Sequence, residues 1–251
     1  LMRTIAVINQ KGGTGKTTTS VNLSAGLARD GAKVLLLDLD PQANASLHLG
    51  VDVLSVGGTM YDVFSNDTDL IDVIQDVSKG LHLAPSHINL CGSEGDLARN
   101  YAGATVLRRN IMNLSESWDW IIIDCPPTLT HLTINALVAT TEAVVPIAAD
   151  FLSLAGTTQL LSTLKFLHKQ TAHKHESVYA LTTRFDTRRN ISHSALDALR
   201  KQCPWPVLQT IIREDVKLTE APSHGKDIFS FAPKSRGAGD YRNFEKEITH
   251  V

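Results

Sequence analysis

Apolar runs of strand length recur at Thr4 to Asn9, Lys33 to Asp38, Leu81 to Pro85, Trp120 to Asp124, Ala143 to Ile147, Val178 to Thr182 and Val207 to Ile211. They are continuous rather than alternating, which is the pattern of strands buried on both faces, so they predict a largely parallel sheet. Between them lie segments with helical spacing, among them Thr17 to Arg29, Leu132 to Thr140, Thr157 to His168, Ser192 to Lys201 and Gly239 to Ile248. Strand and helix alternate, which implies right-handed crossovers and helices on both faces of an open sheet. The expected fold class is α/β: a single doubly wound domain, mostly parallel, over residues 2–251. Ligands bind such a sheet at the carboxyl ends of its strands, so the residues that follow each strand carry the functional reading.

Composition adds a few limits. A chain of 251 residues with 43% hydrophobic and 20% charged positions has enough apolar material for one large core and no sign of disorder. No stretch approaches the roughly 18 apolar residues of a membrane span, and no basic region leads into an apolar cleavable segment, so a cytoplasmic place is expected. Leu1 precedes Met2, which reads as the natural start, and is set aside. Cys91, Cys125 and Cys203 are too far apart for a paired CxxC site and read as reduced thiols. A net charge of -2 gives no global pull toward nucleic acid, so any DNA binding must come from a local basic patch.

The chemistry begins after the first strand, at Lys11-Gly12-Gly13-Thr14-Gly15-Lys16-Thr17-Thr18. Gly15, Lys16 and Thr17 match the end of the pattern GxxxxGK[ST], the first glycine is absent, and Lys11 opens the loop in a deviant form. Three glycines let the backbone turn its N–H groups toward phosphate oxygens, and the following helix offers its positive end to the same charge. Lys16 then reaches the β and γ phosphates, with the Thr17 hydroxyl on Mg²⁺. In Lys33 to Asp40, KVLLLDLD, the two-residue period of a strand puts Asp38 and Asp40 on one side, one to support the metal shell and one to orient a water. Asp124 ends the apolar Ile121-Ile122-Ile123 as a Walker B carboxylate that holds Mg²⁺ through water. A tight turn or a helix cap accounts for any one of these features alone. It does not account for strand, loop, Lys-Thr, helix and three carboxylates in the required order.

QKGGTGKTT, LLLDLDPQAN, IIIDCPP, LTEAPSHGK and PKSRGAGDY together resemble the successive motifs of the ParA/Soj branch of the ParA/MinD superfamily of deviant Walker ATPases, from about Thr4 to the end. The late EAPS-GK segment is much narrower than the phosphate loop. The resemblance implies an ATP- and Mg²⁺-dependent ATPase with Lys11, Lys16 and Asp40 in catalysis, nucleotide held by Lys11 to Thr18, and Mg²⁺ served by Thr17, Asp38 and Asp124. Lys11 resembles the signature lysine that crosses a dimer interface to the partner's nucleotide, Gly12 lies where the two backbones pack closely, and Asp40 positions the attacking water. An extra cation from the other subunit stabilises phosphate charge only after pairing, which couples pairing to hydrolysis.

Such proteins bind nonspecific double-stranded DNA as ATP homodimers, ride the nucleoid, and are released when a ParB-like or adaptor partner stimulates hydrolysis. Cargo stays open among chromosomes, plasmids, chemoreceptor clusters and carboxysomes. The family's DNA-binding arginines correspond to Arg188, with Arg189 added beside it, and to a second segment that departs from the pattern. That segment reads Arg213-Glu214-Asp215 where the family has proline-arginine-asparagine, with Lys217 at the later basic position. Each lost cation weakens DNA affinity and flattens its salt slope by about one unit. Lys234 and Arg236, like Arg189, read equally well as solvated surface charge.

Two rivals are set against this reading. A MinD-like membrane switch needs a basic amphipathic tail, whereas Asp240 to Val251 is short and of mixed charge, with only Phe244, Ile248 and Val251 as a thin apolar stripe. A metabolic P-loop enzyme such as a dethiobiotin synthetase-like ligase would dispense with Lys11, and a nitrogenase iron protein needs cluster-bridging cysteines, whereas Cys125 lies against Walker B. The chain opens on its first strand, so no N-terminal helix-turn-helix domain is expected. His173 and His175 read as solvated, and Trp118, Trp120 and Trp205 as packing residues.

Overall fold

The structure, a computed structural model, describes residues 2–99, 103–114, 118–150, 155–171 and 175–251. All seven apolar runs form strands: β1 (Arg3–Val7), β2 (Val34–Asp38), β4 (Leu81–Ala84), β5 (Trp120–Asp124), β6 (Glu142–Ala148), β7 (Ser177–Phe185) and β8 (Val207–Arg213). An eighth, β3 (Gln75–Ser78), pairs antiparallel at one edge, giving the order β3-β4-β2-β5-β1-β6-β7-β8, with every other neighbouring pair parallel. Its sequence, QDVS, is half-exposed and nearly all polar, so it lacks the apolar run that marked the others.

The helices are α1 (Lys16–Arg29), α2 (Asn44–His48), α3 (Met60–Ser65), α4 (Leu90–Arg99), α5 (Val106–Met112), α6 (His131–Ala139), α7 (Ala155–Thr171), α8 (Asn190–Gln202), α9 (Val216–Glu220), α10 (Ile228–Phe231) and α11 (Arg236–His250). The five expected helices correspond to α1, α6, α7, α8 and α11. The others are short or polar, which leaves little periodicity to read.

The two-residue strand period sorts the core into two layers. Ile121 and Ile123 of β5, with Leu35 and Leu37 of β2, face Leu97, Leu107, Leu132 and Leu164 from α4 to α7. Ile122 and Leu36 face the other way, onto Val21 and Leu27 of α1 and Tyr241, Phe244 and Ile248 of α11. Burial on both faces is why the runs are continuous. The edge strand β8 is guarded from outside: Glu247 accepts from the Gln209 and Thr210 backbones at 2.6 and 2.8 Å, and Asp240 from Arg213 at 3.0 Å.

Trp118 and Trp120 are buried packing residues, with the Arg3 guanidinium 4.5 Å from the Trp120 ring. One expectation is corrected: His175 is only 5% exposed and lies 3.4 Å from the His168 ring nitrogen, because α7 covers the start of β7 there. His173 lies outside the described residues. Of the apolar stripe at the end of the chain, Phe244 and Ile248 are fully buried in the core and only Val251 is exposed, so the stripe offers no apolar face to a lipid surface. Among the described residues no helix is long and apolar enough to cross a membrane.

Because Phe244 is fully enclosed, Phe244→Ala is expected to destabilise the fold by about 3–5 kcal/mol in denaturant unfolding, whereas a loss under about 1 kcal/mol would make α11 peripheral.

Candidate active site

The phosphate loop leaves the end of β1 and turns into α1. Gly13 (φ 72°) and Gly15 (φ 85°) adopt the left-handed region that residues with a Cβ avoid, and Gly15 caps the helix. Buried Asn9 anchors the entry: its amide donates to the Pro146 carbonyl at 2.7 Å and its oxygen accepts from the Lys11 backbone at 3.0 Å. Thr14 is fully buried, with its hydroxyl turned to the Lys11 carbonyl. Gly12 and Gly13 are exposed, and Thr17 and Thr18 are half-buried at the start of α1.

The two lysines part company. Lys16 is buried and donates to the Lys11 carbonyl at 3.2 Å. Burial lowers the Lys16 pKa, opposed by the nearby Asp124, Cys125 and Asp40. Lys11 turns outward, 36% exposed at its side chain, and reaches Asp150 just past β6, with Nζ 2.8 and 2.9 Å from the two carboxylate oxygens.

The carboxylates converge because their strands are neighbours. Asp38 and Asp124 stand side by side in the β2–β5 register, both fully buried. The Thr17 and Ser20 hydroxyls each donate to Asp124 at 2.8 Å, on different oxygens. Asp38 receives the Ser46 backbone and hydroxyl on one oxygen and the Asp40 backbone on the other, so it shapes the loop that carries Asp40. Asp40 is 8% exposed and accepts from the Gln42 backbone at 2.9 Å. Burial raises both Asp38 and Asp124, and the charge of Asp124 raises Asp38 further. A cation held beside them would offset that cost.

The donors fit magnesium. They are all hard oxygens, the Thr17 hydroxyl beside the Asp124 carboxylate with that of Asp38 next to it. That matches an ion which keeps waters and binds through one or two carboxylates plus substrate phosphates.

Sequence reasoning missed Asn9, Ser20, Ser46 and Asp150. Ser20 had a signal, since it follows Lys16 and Thr17 by four and three residues on one helix face. Asn9 and Asp150 depend on strand neighbours, and Ser46 on how the loop after β2 folds back over Asp38.

The candidate DNA-binding cations follow the same ends of β7 and β8, Arg188 and Arg189 just before α8 and Lys217 in the short helix α9. They are already engaged: Arg188 and Arg189 both pair with Asp186, at 3.0 and 3.2 Å, and Lys217 with Glu220 at 2.7 Å. The Arg188 hydrogen bond holds the Asp186 carboxyl down at about 2. Arg213 is paired with buried Asp240.

A loop of this form between a parallel strand and its helix, facing aspartates on adjacent strand ends, places the protein among the P-loop nucleoside triphosphatases. Residues 2–177 match the AAA domain family. The sporulation initiation inhibitor protein Soj of Bacillus subtilis is 41% identical over 245 residues, covering 97% of each chain. The chromosome-partitioning ATPase Soj of Thermus thermophilus is 38% identical over 247 residues, covering 98% of this chain and 95% of the other. The structure of cobyrinic acid a,c-diamide synthase from Mycobacterium smegmatis with bound ADP and magnesium superposes with a TM-score of 0.87 at 31% identity, covering 100% of this chain and 95% of that one. The chain therefore belongs to the ParA/Soj partition ATPases of the ParA/MinD family.

Lys16→Ala is expected to weaken binding of a fluorescent ATP analogue by about 100-fold or more, the loss of a charge-assisted contact in a dry site. Its thermal midpoint stays within a few degrees of the parent, since the change removes a buried charge; a folded variant with unchanged affinity would contradict the assignment.

Proposed function

We propose that this chain is an ATP-driven pairing switch that binds nonspecific DNA as a dimer and positions or segregates a chromosome or plasmid with a ParB-like partner. The observation that carries the reading is the division of labour between the lysines, Lys16 buried within its own loop and Lys11 exposed on the outside. An exposed ion pair such as Lys11–Asp150 is worth only about 0–1 kcal/mol, so a second subunit's phosphates can exchange for Asp150 at little cost. A Cβ at Gly12 would meet nothing within 4 Å among the described residues, which leaves room there for another backbone.

In the proposed cycle, Lys16 holds the β and γ phosphates of ATP while Thr17 and Asp124, with Asp38 beside them, serve the magnesium. Magnesium, when bound, neutralises charge that develops between the phosphates. Lys11 crosses to the partner's nucleotide, and Asp40, held by Asp38 and the Gln42 backbone, orients the attacking water. Pairing joins two basic surfaces that include Arg188, Arg189 and Lys217. Hydrolysis, stimulated by the partner, separates them, and repeated on a nucleoid the cycle moves cargo. DNA phosphates compete with Asp186 and Glu220 for these cations, so binding is modest and salt-sensitive.

Asp40→Ala is expected to keep ATP binding and lose hydrolysis, measured as phosphate release; normal turnover would remove Asp40 from the reaction. Gly12→Val is expected to bind ATP with near-parental affinity yet fail to pair in sedimentation, and pairing by this variant would place the interface elsewhere. The DNA arm is tested by titrating the Asp40→Ala protein against unrelated duplex DNA over a salt series. Binding is expected with ATP and not ADP, and Arg188→Ala should lower the salt slope by about one unit. No binding with ATP, despite dimer formation, would sink the DNA arm and leave the switch with a protein or lipid track.

A further inference from the structure

The end of β7 grips the phosphate loop from the side opposite β5 and β2. Thr183 donates its hydroxyl to the Thr14 carbonyl at 2.7 Å, and the next residue, Arg184, donates from its guanidinium to the Gly13 carbonyl at 3.1 Å. Two consecutive residues thus hold two consecutive carbonyls. Both contacts are close: a Cβ on Gly13 would lie 3.5 Å from the Arg184 guanidinium, and one on Gly15 would lie 3.9 Å from Thr183.

In a planar trans peptide the C=O and the following N–H point in opposite directions. Fixing the Gly13 carbonyl therefore fixes the Thr14 N–H, and fixing the Thr14 carbonyl fixes the Gly15 N–H, each directed away from β7. Where the loop is read as the phosphate cradle, these are two of its donors. The loop needs such restraint, because glycines at Gly13 and Gly15 leave it more conformations than any other residues would.

Arg184 itself carries the second observation. Its φ is 52°, in the left-handed region, where a residue with a Cβ is disfavoured and where an arginine has no short local side-chain hydrogen bond to offset the cost. Backbone strain of this kind persists where the surroundings over-determine it. Arg184 falls where the β7–β8 register shifts between Thr182 and Phe185, an irregularity that turns the chain there, and the turned residue is the one whose guanidinium reaches the loop.

We propose that Arg184 is a positioning residue for ATP binding: through the Gly13 carbonyl its guanidinium holds the phosphate loop with the Thr14 N–H directed at the anion. The proposal rests on the reading of this loop as the nucleotide site. It gives stability and affinity opposite signs, which a purely structural arginine would not. Arg184→Gly relieves the backbone and deletes the guanidinium, so the variant should unfold at the same or a higher temperature than the parent. Its affinity for a fluorescent, non-hydrolysable ATP analogue should fall about tenfold, the weight of one hydrogen bond to a charged group. Arg184→Lys, which keeps a cationic donor, should recover most of that loss. Parental affinity in Arg184→Gly would overturn the proposal, and so would an affinity loss accompanied by a clear drop in melting temperature. A parent protein that binds no ATP analogue at all would instead overturn the nucleotide reading beneath it.

Discussion

Everything at the functional end of the sheet is arranged around a buried concentration of charge. Lys16, Asp38, Asp40 and Asp124 sit where water is nearly absent, and burial lowers the lysine and raises Asp38 and Asp124. Unpaired, such groups are costly, so the fold supplies hydrogen bonds to each. Thr17 and Ser20 satisfy Asp124, Ser46 and the Asp40 backbone satisfy Asp38, and the Lys11 carbonyl receives Lys16. The strand order β2-β5-β1 is what makes this possible, since it places the two carboxylate strands together and the phosphate loop directly beside them. A magnesium nucleotide offers the opposite charges to this set, and in that sense the ligand completes an electrostatic balance that the chain leaves open.

The other side of the loop belongs to β6 and β7, and there the same physics links the site to the surface. Asp150 past β6 holds Lys11, Thr183 and Arg184 of β7 hold the loop carbonyls, and Asp186, just past β7, gathers Arg188 and Arg189. The seven residues from Thr183 to Arg189 hold both the contacts to the phosphate loop and the exposed cations.

Much of this was legible beforehand, for identifiable reasons. Strands buried on both faces leave long apolar runs, so seven of the eight described were read, with boundaries within three residues. The strand that escaped, β3, is a polar edge strand with a bulge. The phosphate loop and the three aspartates showed themselves because their chemistry is carried by residue type at fixed spacing. Asn9 and Asp150 did not, because Pro146 and Lys11, their partners across the sheet, are distant in sequence, and Ser46 did not, because it meets Asp38 only through the fold of the loop between β2 and α2. The pairing of Lys217 with Glu220 was readable, being three residues apart on one helical turn, and it changes the picture of a free basic surface. The burial of His175 was not, since it depends on how α7 lies over the start of β7.

The claim at the centre of this account is that ATP, and not ADP, brings two copies together, and it is tested most directly by molar mass. Sedimentation velocity of the hydrolysis-blocked Asp40→Ala protein with ATP and magnesium, with ADP and magnesium, and with ATP and a chelator should give a dimer in the first condition alone. A monomer in all three, or a dimer in all three, would contradict it.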